Sequence, residues 1–418
     1  MSTARLVAIV FIYLCAAVAW GLLGGSLMVR TGESDARLSR EVALLWGGTH
    51  AQVAPQAAVQ RPRTVSEQIQ DRDAQGQTVT REVTKRTVES VTVPLERSRV
   101  QVSLHLDQRQ KGLLWYDTYA VRFAGKWRVR NPDAAPRRLV VRFAFPSADA
   151  IYDEFAFRVG GVDTPNVSDL SRGVEVGVDV PIGGEVPIEV AYRSRGLGDW
   201  TYAFAREGVS PVRDFELVMT TDFAAIDFPA GTTSPTSKDR HGDGWRLTWR
   251  FGSLVTGQRI GMDLPDRMNP GPLAARITWF APVGLLFFLT VMVILGVLRG
   301  HNLHPMNYAF VCAAFFAFHL LLAYLVDHLD IHLSFAIAAV TSVALVVSYL
   351  RVVAGSRAAL LEAALAQVVF LVLFSYAFFF EGYTGLTVTI GAIITLFVLM
   401  QMTARVDWAA VFARRQTA

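Results

Sequence analysis

Six long apolar runs, one near the N-terminus and five in the last third of the chain, restrict this sequence to a membrane-spanning architecture. Each holds roughly 20 apolar residues, enough to cross a hydrocarbon core about 30 Å thick at about 1.5 Å per helical residue. The first run is Leu6 to Val29. The others are Thr278 to Leu298, Met306 to Val326, Leu333 to Val352, Ala358 to Phe380 and Leu386 to Met402. Charged residues are only 18% of the chain, against about a quarter in soluble domains.

A secretory signal peptide competes for the first run, because Ala17-Val18-Ala19 has small residues at cleavage-site spacing. The apolar stretch continues through Trp20, Leu22, Leu23 and Leu27, past the roughly 7–15 residues of a signal core. Residues 6–29 therefore read as an uncleaved anchor. Gly21, Gly24, Gly25 and Ser26 suit close helix contact, and the first span is expected to pack beside the second. Pro270-Gly271-Pro272 reads as a short, stiff link into that second span.

Orientation follows from the charges between spans. Arg5, Arg299, Arg351, Arg357, Arg405, Arg414 and Arg415 fall on one side; Asp327, Asp330 and Glu381 fall on the other. The positive-inside rule puts both termini in the cytoplasm and residues 30–272 outside, with Arg30 and Arg276 at the wrong ends. Trp279, Tyr308, Tyr324, Tyr383 and Trp408 lie near the expected interfaces. The cytoplasmic loops and the 403–418 tail are too short for a nucleotide-binding domain, and no GxxxxGK[ST] loop is present. Net charge is +4, with Lys and Arg scattered along alternating strands, which argues against a nucleic-acid partner.

Within residues 30–272, apolar and polar positions alternate with period two. Val100, Val102, Leu104 and Leu106 make one such strand; Tyr119, Val121, Phe123, Trp127 and Val129 make another. Gly183-Gly184 reads as a hairpin turn and Gly242-Asp243-Gly244 as a second turn. Strands with one apolar face need a covering sheet, so an all-β sandwich of about eight strands is expected. Residues 51–95 are polar and read as either a hairpin or a mobile tether. Cys15 and Cys312 both lie in apolar runs, so the β-rich region holds no disulfide. The fold expected is thus one N-terminal anchor, a large β-rich domain, a five-helix block over 278–402 and a short tail.

Chemistry is scarcer. Asp327, His328, Asp330 and His332 place two imidazoles and two carboxylates within six positions, a grouping able to bind a transition metal or sense protons. A water-facing interfacial loop is the plainer reading, since the spacing matches no metal framework. His319, two helical turns before Asp327, is the deepest imidazole of the block; a bond to a neighbouring helix explains it better than a proton relay. Glu362, about five residues into the fifth span, suits an interfacial ion pair with Arg357 or Arg351. Trp115 and Trp200, beside glycines, suit a ligand cleft or, more readily, the core. No nucleophile elbow, H-E-x-x-H or cysteine nucleophile occurs. No catalytic, cofactor or metal site is expected.

Leu303-His304-Pro305-Met306-Asn307-Tyr308 with the apolar run onward to His328, and the closing Arg405-Val406-Asp407-Trp408, resemble the CreD family of bacterial inner-membrane proteins. The layout of anchor, large insert and helical block is similar too, and Leu45-Trp46-Gly47-Gly48 looks like that family's entry into the external domain. The resemblance implies a periplasmic insert and a link to envelope integrity, colicin tolerance and stress response, in some bacteria through a two-component system. It supplies no catalytic residues. The function expected is non-enzymatic, with a periplasmic protein or envelope ligand as partner and the bilayer as setting. A carrier or lipid-handling protein with its path through the five-helix block is the alternative, and a periplasmic hydrolase lacks a motif.

Overall fold

Helix α1 spans Thr3–Trp46, 44 residues, so it is about 66 Å long at about 1.5 Å per residue. The apolar run ends at Val29, yet the helix continues for another four turns. Residues 30–46 hold good helix formers and no proline. The helix stops at Gly47, whose φ of 107° suits glycine and whose N–H reaches Ala43 O at 2.9 Å. The computed structural model describes residues 3–72, 78–111, 114–163, 167, 169–206, 208–298, 303–353, 357–380 and 382–404. Glu381 and Arg405 to Trp408 lie outside these.

The chain divides into a helical unit, built from residues up to Arg37 and from Met268 onward, and a β unit, Leu38–Lys111 with Trp115–Arg267. In the helical unit α2 is Pro270–Leu298, α3 is Pro305–Leu325, α4 is Ile331–Val353, α5 is Arg357–Gln367 and α6 is Thr384–Thr403. Between α5 and α6 the chain passes through a π-helical turn, Val368–Leu373. With α1, six segments are long and apolar enough to cross a membrane. Pro270 and Pro272, expected as a short, stiff link ahead of the second span, instead open α2: the first helical turn has no intrahelical acceptor for its N–H groups, so proline is tolerated there.

The first and second spans do touch. Gly24 faces Trp279, where a Cβ would sit 3.2 Å from the indole, and Tyr13 OH donates to Pro282 O at 3.3 Å. Gly21 and Gly25 face open space, so of these three glycines only Gly24 serves the contact. Gly24→Leu should overpack this contact at a cost of about 1–3 kcal/mol, lowering the thermal midpoint of detergent-solubilised protein, while Gly25→Leu should not. Equal midpoints for the two variants would remove Gly24 from the interface.

The β unit holds seventeen strands among the described residues. In chain order β1 to β6 are His50–Val53, Gln56–Arg72, Thr78–Val93, Leu95–Leu106, Arg109–Lys111 and Leu114–Tyr116. Strands β7 to β12 are Thr118–Arg130, Arg137–Phe143, Asp153–Val159, Val162–Asp163, Val174–Val180 and Glu185–Leu197. Strands β13 to β17 are Asp199–Ala203, Ser210–Thr221, Ser237–His241, Gly244–Thr256 and Ile260–Asp263. An eight-stranded sheet runs β10-β9-β12-β7-β4-β14-β16-β15, a four-stranded sheet β11-β8-β2-β3, and a three-stranded sheet β1-β13-β17. The pairs β1/β13 and β4/β14 are parallel and the rest of these three sheets antiparallel.

The alternating strands bury one face each, as period two requires: β7 reads buried at Tyr119, Val121, Phe123, Trp127 and Val129. The eight- and four-stranded sheets share one core, with Phe143 of β8 against Phe157 of β9 at 5.8 Å. Phe123 stacks on Tyr192 at 5.0 Å, and Trp127, Trp200 and Trp249 are fully buried. Trp200 is therefore core. Strands β2 and β3 pair over their whole length, Gln56 with Arg142 being the first of only five contacts of β2 with β8. Beyond Gln60 the hairpin continues as a two-stranded ribbon.

Candidate functional site

The sequence candidates of the helical unit do not converge. Helix α3 ends at Leu325, so Asp327 lies in the following turn and shares no helix face with His319. Asp327 pairs with Arg30 at 2.9 Å; Arg30 also donates to Ala323 O at 3.0 Å and lies over the Tyr324 ring. The arginine at the wrong end of the first span is thus neutralised by the carboxylate two spans on. Asp330 caps α4, its Oδ1 accepting from the N–H groups of His332 and Leu333. His332 stacks on Phe379 at 5.0 Å, and His328 is exposed. Among the described residues no three His, Cys, Asp or Glu side chains are disposed to hold a metal ion.

His319 is fully buried and Nδ1 lies 3.3 Å from Phe315 O, so that nitrogen carries the hydrogen. Its ring meets the buried indole of Trp20 edge-on at 5.6 Å. That partner was legible only as one more apolar residue of α1. Glu362 sits half-buried on α5. Five residues on, Gln367 donates to Ser342 Oγ at 2.9 Å, and Ser342 donates to Ala314 O at 2.7 Å, tying α5, α4 and α3 together. Tyr349 OH donates to Asn307 Oδ1 at 2.8 Å, joining α4 to the start of α3.

The β unit carries three polar constructions that no sequence motif announced. The first lies within the β unit and holds the end of α1, residues 38–46, against the strands. The Trp46 ring is held between Arg109 at 4.4 Å and Arg195 at 4.5 Å, and Lys111 pairs with Glu41 at 2.8 Å. Gly47 lies so close to Arg195 O that a Cβ there would overlap it.

The second is a buried chain around His50. Nδ1 donates to Gly48 O at 3.2 Å, while Nε2 accepts from Ser194 Oγ at 3.0 Å. Ser194 Oγ is also 2.8 Å from Ile151 O, so its one hydrogen serves two acceptors while the imidazole is neutral. Burial pushes His50 down to about 4. Nearby, Tyr192 OH donates to Gln52 Oε1 at 2.8 Å and Tyr119 OH to Asp199 O at 2.8 Å.

The third comprises two cavities. One, of about 590 Å³, is lined by Asp117, Asp199, Asp227, Asp263 and Asp266. Burial, reinforced by the neighbouring carboxylates, pushes Asp117, Asp199 and Asp263 above the usual carboxylate range. The other is a cleft of about 270 Å³ where β1 passes into β2, β3 into β4, and β13 ends beside the start of β14. Its walls include Ala57, Val93, Phe204 and Val212; Tyr202 and Ser98 add hydroxyls and Arg213 a charge.

These features define a multi-pass membrane protein with helical anchors and a large β-domain. The family described as Inner membrane protein CreD matches residues 253–409, from the end of β16 through the last span. Comparison with curated proteins gave no match. A solved structure from Legionella pneumophila subsp. pneumophila str. Philadelphia 1, described as a nutrient binding protein, aligns with 47% of this chain and 74% of its own at 9% identity. Its TM-score of 0.28 is too low to bear on fold or function.

Proposed function

We propose that this chain is a CreD-type inner-membrane protein whose β-domain lies in the periplasm and binds a partner or envelope ligand, while the helical block anchors it and passes on its bound state. In this reading it serves envelope integrity or stress response, acts without catalysis and has both termini in the cytoplasm. The family match over the helical part supports the inner-membrane assignment. The observation that carries anchor over carrier is the use of the spans' polar groups in helix-to-helix bonds: Gln367 to Ser342 to Ala314 O, and Tyr349 to Asn307. A carrier keeps such groups facing a path. The Arg30–Asp327 pair supports the topology by neutralising one of the two arginines that oppose it.

One observation favours the carrier as a second reading. The fifth span contains a π-helical turn directly after Gln367, whose Oε1 is buried and has no partner among the described residues, and such turns recur at functional sites.

Cysteines placed singly at Asp133, Gly184 and Asp243 should react with a membrane-impermeant maleimide in intact spheroplasts, in a background lacking Cys15 and Cys312. A cysteine at Gln416 should react only after lysis. Labelling of position 416 in intact spheroplasts would reverse the topology and end the periplasmic assignment.

A further inference from the structure

We propose that the cleft at the junction of β1/β2, β3/β4, β13 and β14 binds a small amphipathic carboxylate: an aryl or short alkyl body, an anionic end at Arg213 and one oxygen that accepts from Tyr202. This rests on the β-domain being a binding module and adds the site and the ligand class.

The cleft holds about 270 Å³, about nine water volumes at roughly 30 Å³ each. That is just below the usual range of small-molecule pockets, about 300–1,000 Å³, and enough for one ring with a short side chain. The floor is apolar: Ala57, Val93 and Val212 are each less than a tenth exposed, so a body of carbon and hydrogen gains by displacing water from it.

Three prolines line the walls: Pro55 and Pro94 at the β1/β2 and β3/β4 junctions, and Pro211 in the first residues of β14. Proline has no N–H and fixes φ. The walls are therefore stiff and poor in backbone donors, which disfavours an added β-strand as occupant and favours a compact molecule.

Two side chains supply the polar reading. Tyr202 is 1% exposed, and its hydroxyl accepts from Trp127 Nε1 at 3.4 Å. Among the described residues that hydroxyl donates to nothing, and a phenol donor held in an apolar wall selects for an oxygen acceptor. Arg213 meets Glu96 through Nη1 alone, at 3.3 and 3.4 Å to the two carboxylate oxygens. Among the described residues its Nε and Nη2 donate to nothing, which leaves a face for a second carboxylate, the geometry in which arginine binds such groups best. A ligand with only an apolar body would leave both unused; a strongly polar one would lose the floor.

The test uses the full chain in lipid nanodiscs, with 3-(4-hydroxyphenyl)propanoate as probe and 3-(4-methylphenyl)propanoate as the analogue lacking the phenolic oxygen. Binding is followed by isothermal titration calorimetry with empty nanodiscs subtracted. The hydroxylated probe should bind saturably at one site per chain. Arg213→Gln should weaken it by about tenfold or more, as loss of a charge-assisted bond implies. Tyr202→Phe should bring the two probes to equal affinity, and Val212→Trp, which fills the cleft, should abolish binding. Unchanged Trp fluorescence and thermal midpoint certify that each variant is folded; Val212→Phe replaces Val212→Trp if the larger ring fails that check. No saturable binding by the wild type, or binding that Arg213→Gln and the filled cleft leave intact, overturns the proposal. Either result in protein that passes the spheroplast labelling rejects the cleft alone and leaves the periplasmic binding module standing.

Discussion

Lowering the pH from 7 should cost the β unit about 2 kcal/mol of stability by pH 5 and about 3 kcal/mol by pH 4, at about 1.4 kcal/mol per pKa unit. The source is His50, fully buried and pushed from its ordinary value of 6.5 down to about 4. Between those values the unfolded chain holds the proton and the folded chain does not, so unfolding takes up protons and stability falls as pH falls. His50's contribution is fully present above 6.5 and lost on the way down to about 4. Asp117, Asp199 and Asp263 work in the opposite sense. Their folded carboxyls lie above the ordinary value, so acid relieves their repulsion and offsets part of the histidine's loss. Urea unfolding of wild type and His50→Gln, followed by Trp fluorescence at pH 7, 6 and 5, separates the histidine from these carboxylates. His50→Gln should unfold more easily at pH 7 and should lack the wild type's fall in stability from 7 to 5. A variant that kept the wild-type slope would show that another group titrates there.

Gly47→Ala should destabilise the β unit by on the order of 3–5 kcal/mol, combining a left-handed backbone position with overpacking. At φ 107° an alanine is strained before it meets anything, and its Cβ would then overlap Arg195 O, a backbone atom of a central strand. The change also shifts Trp46 between Arg109 and Arg195. Gly48→Ala is the control, because nothing lies within 4 Å of a Cβ at that position. Comparable denaturation midpoints for the two variants would mean that the turn after α1 yields more easily than its geometry implies.

The six spans were legible because each depends on a local property, the length of one apolar run. The sandwich strands were legible for a similar reason: alternation at Tyr119 to Val129 or Val100 to Leu106 directly reports a buried face. The extension of α1 through residues 30–46 was not, since a polar helix that leaves the bilayer has no hydrophobic period to betray it. Pro270 and Pro272 misled because proline ends extended and helical segments alike, and the sequence does not say which side of a helix start it occupies. The polar features were harder still. Arg30 looked like a violation until Asp327, nearly three hundred positions away, stood beside it. Arg213, Tyr202 and the three prolines belong to four separate stretches of chain, and no short pattern unites them. His50 sits in an ordinary alternating strand, and only its contacts with Ser194 and Gly48 set it apart.

The parallel pairing of β4 with β14 sets a clock. Ser98 finds its neighbour in Phe215, so the middle of the large sheet waits for chain made much later, as does the three-stranded sheet, where His50 finds Trp200. At about 5–20 residues per second, roughly a hundred residues of synthesis take about 5–20 s, far longer than a hairpin needs to form. Throughout that interval one edge of β4 presents unpaired backbone groups and the aromatic side of β7 lacks part of its cover. Open edges of this kind recruit any strand nearby. Yield in the cell is then governed by whatever shields the half-made sheet during synthesis, and a variant with a perfectly stable finished sandwich can still be lost if it lengthens that wait.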